Sequence, residues 1–130
     1  MAPATPNRRL LVTHALPYAN GPLHLGHLLG YIQTDIWVRF QRLVGHEVVF
    51  VAGEDAHGTP IMLAAEKAGL PPEDFVARIK AQHKRDFEAF GIVHDGYHTT
   101  HSPENRVLVE TIYRALDAAG YIARRDIEQA

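Results

Sequence analysis

Cysteine is absent from the sequence, which excludes a disulfide framework and any thiolate metal site built from this chain. Long apolar runs are missing too. No stretch approaches the length of a membrane span, and the opening MAPATPN carries no apolar signal-peptide core. The expectation is a soluble, cytoplasmic protein with no membrane partner. Charge of one sign is equally scarce: the net charge is -2, with residues 1–52, 53–95 and 96–130 contributing +2, -3 and -1. A stand-alone nucleic-acid binder would be distinctly basic, so any nucleic-acid contact must be local or made by other parts. No lysine precedes Lys67, and neither repeats nor low-complexity segments are present.

What is there is the composition of one globular domain: 130 residues, 46% hydrophobic and 22% charged. Residues 1–7 read as a loose tail. RRLLVTHA (8–15) is a short apolar run of strand type, and LGHLLGYIQTDIWVRFQRLVG places Leu25, Leu28, Leu29, Ile32, Ile36, Phe40 and Leu43 near helical spacing up to Gly45. HEVVFVAG (46–53) is Val-rich without alternation, as a strand buried on both faces would be. Together these predict a βαβ unit with parallel strands, and hence an α/β fold.

Beyond it the chain reads mostly helical. Thr59-Pro60 predicts an N-cap with proline in the first turn, and PPEDFVARIKAQHKRDFEAFG aligns Phe75, Ile79, His83, Phe87 and Phe90 on one face. Ser102-Pro103 predicts a last helix with Leu108, Ile112, Ala115, Leu116 and Ala119 inward and Gly120 past its end. YHTT and YIARR are candidate short strands.

The chemistry-bearing residues cluster in two loops. In open parallel sheets, ligands bind beyond the carboxyl ends of the strands. The first strand runs out into HALPYANGPLHLGH and the second into GEDAHGTP, so parallel pairing brings Tyr18, His24 and His27 toward Asp55 and His57. The first loop matches neither G-x-G-x-x-G nor the P-loop, since Gly21-x-x-x-x-Gly26 is followed by His-Leu. Its physical plan is still that of an anion site, with a helix N-terminus offering unpaired N–H groups and a positive dipole end. His24 and His27, at i and i+3, share one face of that first turn and can donate to phosphate oxygens, while Gly26 leaves room for a base or ribose. Singly, each residue has a plainer reading. The histidines can be caps or two metal ligands without a third, Asp55 a turn residue, His57 a loop hydrogen-bonder, Trp37 packing, and His98 and His101 caps of the last helix.

Taken as strings, LPYANGPLHLGH, DIWVRFQRLVGHEVVFVAGEDAHGTPI and YHTTHS resemble, in that order and at matching spacing, the methionyl family of class I aminoacyl-tRNA synthetases, over about residues 8–130. The H-x-G-H element matches the class I HIGH signature, with Leu25 at the variable position. The resemblance implies the first half of a Rossmann-like (HUP-type) catalytic domain. It also implies ATP with Mg2+ and methionine as ligands, and tRNA(Met) bound through parts outside this chain. Pro17, Asn20, Gly21, His24, Gly26 and His27 then fall in the ATP site, His24 and His27 as the catalytic pair. Ala15, Leu16, Tyr18, Asp55 and His98 fall in the methionine site, Asp55 holding the substrate ammonium and Tyr18 acting as a lid. Family members continue into a zinc-bearing inserted domain, a second half with a K-M-S-K-S loop and an anticodon-binding bundle. The resemblance therefore implies a fragment inactive alone, with no zinc ligated by these residues. Two positions depart from the family: His14 stands where a smaller residue is usual, and Gly53-Glu54 precedes Asp55 where Ala-Asp or Gly-Thr is common. The alternatives are another class I synthetase or nucleotidyltransferase of the same fold, or a non-catalytic nucleotide-binding module.

Overall fold

The computed structural model describes residues 7–125, in the order β1 (Arg9–Thr13), α1 (Leu25–Leu43), β2 (Glu47–Glu54), α2 (Thr59–Lys67), α3 (Pro72–Ala89), β3 (Gly96–Thr99) and α4 (Pro103–Ala118). The predicted tail, residues 1–7, lies outside the described residues except for Asn7. The chain divides into two compact units at Thr100/His101. No described helix is long and apolar enough to cross a membrane.

In the first unit the three strands form one parallel sheet in the order β1-β2-β3. Arg9 to Thr13 register against Glu47 to Val51, and Val51 to Glu54 against Gly96 to Thr99. The α/β reading and the parallel βαβ unit hold. The Val-rich β2 does not behave as a strand buried on both faces, however. Val48, Phe50, Ala52 and Glu54 are buried, whereas Val49 is exposed, as is Leu11 on β1. One sheet face carries the core, built from Leu28, Tyr31 and Val38 of α1, the inward residues of β2, Phe87 of α3 and Ile92. Each large side chain fully buried there contributes about 1.5–3 kcal/mol.

The inward stripe of α1 is Leu28, Tyr31, Asp35 and Val38. Of the expected stripe only Leu28 and Ile32 pack toward this core, while Leu25, Leu29, Ile36, Phe40 and Leu43 are exposed, as is Trp37. The helix carries apolar residues on two faces, and periodicity alone does not choose between them. On α3 the expected face holds for Phe75, Ile79, His83 and Phe87, but Phe90 is the exposed C-cap. Helix α2 begins one residue earlier than expected, with Gly58 rather than Thr59 at the N-cap position and no side-chain cap bond.

In the second unit, Ser102 caps α4 by accepting from the Asn105 N–H at 3.2 Å. No residue of α4 is buried, so the expected inward set Leu108, Ile112 and Leu116 is exposed instead. YIARR forms no strand.

A candidate nucleotide and amino-acid site at the strand ends

The two loops predicted to meet do so through the backbone. Beyond β1, Tyr18 forms a parallel bridge with Asp55. The Asp55 N–H donates to the Pro17 carbonyl at 3.0 Å and the Ala19 N–H to the Asp55 carbonyl at 2.9 Å. These bonds extend the β1–β2 ladder past the end of β1 and place Ala15, Leu16, Pro17, Tyr18 and Asp55 at one sheet edge. A second small core, Ala19 with Ile61 and Ala65 of α2 and Phe75 and Ile79 of α3, holds the loop from beneath. Tyr18 crosses to the second loop, where a Cβ on Gly58 would collide with its hydroxyl. Gly58 sits at φ 131°, a conformation that side-chain-bearing residues rarely adopt. His98 lies on β3 opposite Gly53, at the same end of the sheet.

His24 is the N-cap of α1 and His27 its third residue, and the two form a reciprocal capping box. The His27 N–H donates to His24 Nδ1 at 3.3 Å, and the His24 N–H donates to His27 Nδ1 at 3.4 Å. Their rings stack with centroids 3.6 Å apart. The plain capping reading of the two histidines holds. With both Nδ1 atoms accepting, each neutral ring carries its proton on Nε2. Two parallel Nε2–H donors therefore remain uncommitted to the cap, at the positive end of a 19-residue helix. His27's pKa is lowered, first by burial and then by the neighbouring charges of His24 and His83, which favours the neutral form the box requires. The space at Gly26 was expected to serve a base or ribose. In the structure a Cβ there would stand 3.1 Å from the His24 ring, so glycine first of all lets that ring fold back.

Sequence reasoning missed the layer beneath. Glu54, noted only as a departure from the family pattern, is completely buried at the end of β2. It accepts from the Tyr97 hydroxyl on β3, and its Oε2 lies 2.9 Å from His83 Nδ1. The other ring nitrogen, His83 Nε2, lies 2.7 Å from the Gly21 carbonyl in the first loop. Burial, then the Glu54 hydrogen bond, push the Tyr97 phenol upward. The available signal was a histidine on the apolar face of α3, which must find polar partners when buried. His14 also acquires a place: its ring packs on Tyr31 at 4.3 Å, and a Cβ on Gly30 would overlap its Nε2. Tyr31 in turn donates to the Ala15 carbonyl at 3.0 Å, fixing the start of the loop.

The family described as tRNA synthetases class I (M) matches residues 10–130. The methionine--tRNA ligase of Acidithiobacillus ferrooxidans (strain ATCC 53993 / BNL-5-31) is 61% identical over 123 residues, covering 95% of this chain and 18% of that protein. The methionine--tRNA ligase of Xanthomonas campestris pv. campestris (strain B100) is 63% identical over 122 residues, covering 94% and 18%. The chain thus spans less than a fifth of the length of these relatives. Among solved structures, Mycobacterium tuberculosis methionyl-tRNA synthetase in complex with methionyl-adenylate superposes with a TM-score of 0.81 at 32% identity, covering 88% of this chain and 22% of that one. An Agrobacterium radiobacter K84 LeuRS, solved as a ternary complex with tRNA and LeuAMS, gives 0.86 at 29% identity over 95% and 16%.

Proposed function

The chain belongs to the class I tRNA synthetases of the M type, and we propose on that premise that it supplies the ATP-cradling and methionine-binding part of a methionine--tRNA ligase. In the reaction a methionine carboxylate oxygen attacks the α-phosphorus of ATP. The bond from that phosphorus to the bridging oxygen breaks, and pyrophosphate leaves with the electron pair. A hydroxyl of the terminal ribose of tRNA(Met) then attacks the acyl carbon of the methionyl-adenylate, and AMP leaves with the electron pair of the broken carbon–oxygen bond. Mg2+ arrives with ATP as part of the substrate.

The stacked His24–His27 pair is the observation that carries this reading. Its two Nε2–H donors sit where negative charge builds on the phosphates, and donors fixed in advance stabilise a transition state without reorganising. Pro17, Asn20, Gly21 and Gly26 line the same loop and belong to the ATP site in this reading. Asp55, exposed at the end of β2, pairs with the methionine ammonium; a carboxylate and an ammonium excluded from water hold each other strongly. Ala15 and Leu16 line the side-chain pocket, Tyr18 closes over it and His98 flanks it. The triphosphate is held from one side only by these residues, so catalysis requires the remainder of the enzyme.

The test is amino-acid-dependent ATP–pyrophosphate exchange by the complete protein that contains this segment. Exchange driven by methionine and not by leucine is the expected result. Exchange driven by leucine would reassign the substrate, and none with either would overturn the ligase reading.

A further inference from the structure

His83 lies outside the two loops, yet its side chain touches both the Gly21 carbonyl and Glu54. Its ring is almost wholly buried, and both nitrogens face acceptors: the Glu54 carboxylate at Nδ1 and the Gly21 carbonyl at Nε2. A carbonyl can only accept, so the Gly21 contact requires a proton on Nε2. The Glu54 carboxyl already receives the Tyr97 hydroxyl on its other oxygen; where Oε2 accepts as well, a proton stands on Nδ1 too. We propose that His83 is a positioning residue whose doubly protonated ring clamps the Gly21 loop to the end of β2, setting where His24 and His27 stand relative to Asp55.

Three observations support the clamp. Gly21 lies three residues before the His24 cap, so its carbonyl sets the entry of the chain into α1. Glu54 is the residue immediately before Asp55, so the same buried carboxylate indexes the second loop. The electrostatics also agree. Burial, the largest single influence, opposes charge on His83, but the hydrogen bonds to Glu54 and Gly21 and the charges of Glu54 and Asp86 outweigh it, and its pKa is raised. The titratable groups facing the pair are Tyr97 on β3, Tyr31 and His27 on α1, and Asp86 on α3. A charged His83 also helps keep His27 neutral. The clamp thus serves both the position and the protonation state of the donor pair.

The catalytic consequence rests on the ligase reading; the protonation of His83 does not, so the test has two arms. In the first, imidazole 15N NMR of the complete protein, assigned by loss of the signal in His83→Gln, is expected to show both His83 nitrogens protonated at neutral pH. A neutral-tautomer pattern there would overturn the proposal whatever the enzyme catalyses. The second arm is methionine-dependent pyrophosphate exchange across pH. Wild-type kcat should fall as pH rises through the raised pKa. His83→Gln, which cannot donate in both directions, should lower kcat by about 10–100-fold with methionine KM little changed, and should lack that alkaline limb. Glu54→Gln offers the rescue: its amide can donate to a neutral Nδ1 and accept from Tyr97, leaving the Nε2–H on Gly21. It should recover most of the rate without the alkaline limb. Wild-type rate and pH profile in His83→Gln, or a Glu54→Gln as impaired as His83→Gln, would refute the clamp. Absence of exchange in the wild type would sink the ligase reading alone, with the NMR arm still deciding His83.

Discussion

His24 and His27 cap each other: each ring's Nδ1 accepts the other residue's backbone N–H, and the rings stack 3.6 Å apart. One arrangement therefore starts α1 and leaves both Nε2 atoms outside the capping box. Capping and catalysis can be separated by choice of substitute. His24→Asn keeps a good N-cap side chain but removes the ring donor. In the complete protein we expect nearly unchanged thermal stability with an exchange rate lower by about 10²–10³. His27→Ala should show the same loss in rate with little effect on methionine KM. Equal losses in rate and in methionine affinity would count against the phosphate role.

The pH dependence of the pair has a definite sign. His27's folded pKa lies below its ordinary 6.5, so between those values the unfolded chain binds more protons than the folded one. The stability it contributes is present above 6.5 and lost as pH falls through the lowered pKa. Protonation also removes the Nδ1 acceptor from the capping box. Activity should therefore decline on the acid side, and His24→Asn, by removing the neighbouring imidazole whose charge lowers the His27 pKa, should move that limb to higher pH. A limb moving the other way in a pH–rate profile would refute the coupling.

Asp55→Asn preserves shape and removes the charge proposed to meet the substrate ammonium. Methionine KM should rise by a factor corresponding to about 2 kcal/mol, the low end for truncating a desolvated charge pair, with ATP KM unchanged. Steady-state exchange kinetics read both. A selective loss of ATP binding would place this residue in the wrong subsite.

Gly30 and His14 are coupled by contact, because a Cβ at Gly30 would overlap His14 Nε2. Alanine in a helix interior is ordinarily favoured over glycine by roughly 0.8–1 kcal/mol. Gly30→Ala alone should instead destabilise, by about 1 kcal/mol or more, as the imidazole is driven off Tyr31. In a His14→Ser background the same change should stabilise. Denaturant unfolding of the four-member cycle gives the coupling, and additivity within error would deny the contact its energetic weight.

His94 is the odd member of an aromatic cluster with Tyr31, Phe50, Phe87 and Tyr97. Its buried Nε2 has no hydrogen-bond partner, and burial holds its pKa below 6.5. His94→Phe removes an unsatisfied polar atom and should stabilise by about 1 kcal/mol near neutral pH. The gain should grow as pH falls below 6.5, because the wild-type histidine loses stability there and phenylalanine does not titrate. A gain that shrinks on acidification would contradict the burial argument.

The order of elements and the meeting of the two loops were legible because they depend on local signals and one topological rule. Apolar runs, the Ser102 cap and the stop at Gly45 mark the elements. Parallel pairing of β1 and β2 then forces PYANGPLHLGH and GEDAHGTP to one edge, whatever lies between them. His24 and His27 were legible for the same reason, since spacing of three in a first turn puts two side chains on one face.

Only the tertiary structure decided which faces are inside. Helix α1 has apolar residues on two faces, and the choice of Leu28, Tyr31, Asp35 and Val38 depends on the shape of the sheet they meet. β2 looked buried on both faces because valine suits either environment, while Leu11 and Val49 remain exposed. The Glu54–His83–Gly21 connection was invisible for a deeper reason. It joins residues 29 and 62 positions apart, and nothing local to any of them requires the others. A buried carboxylate and a buried imidazole each demand a partner, but which partner is set by how α3 packs across the strand ends. Sequence fixes the demand, and packing supplies the answer.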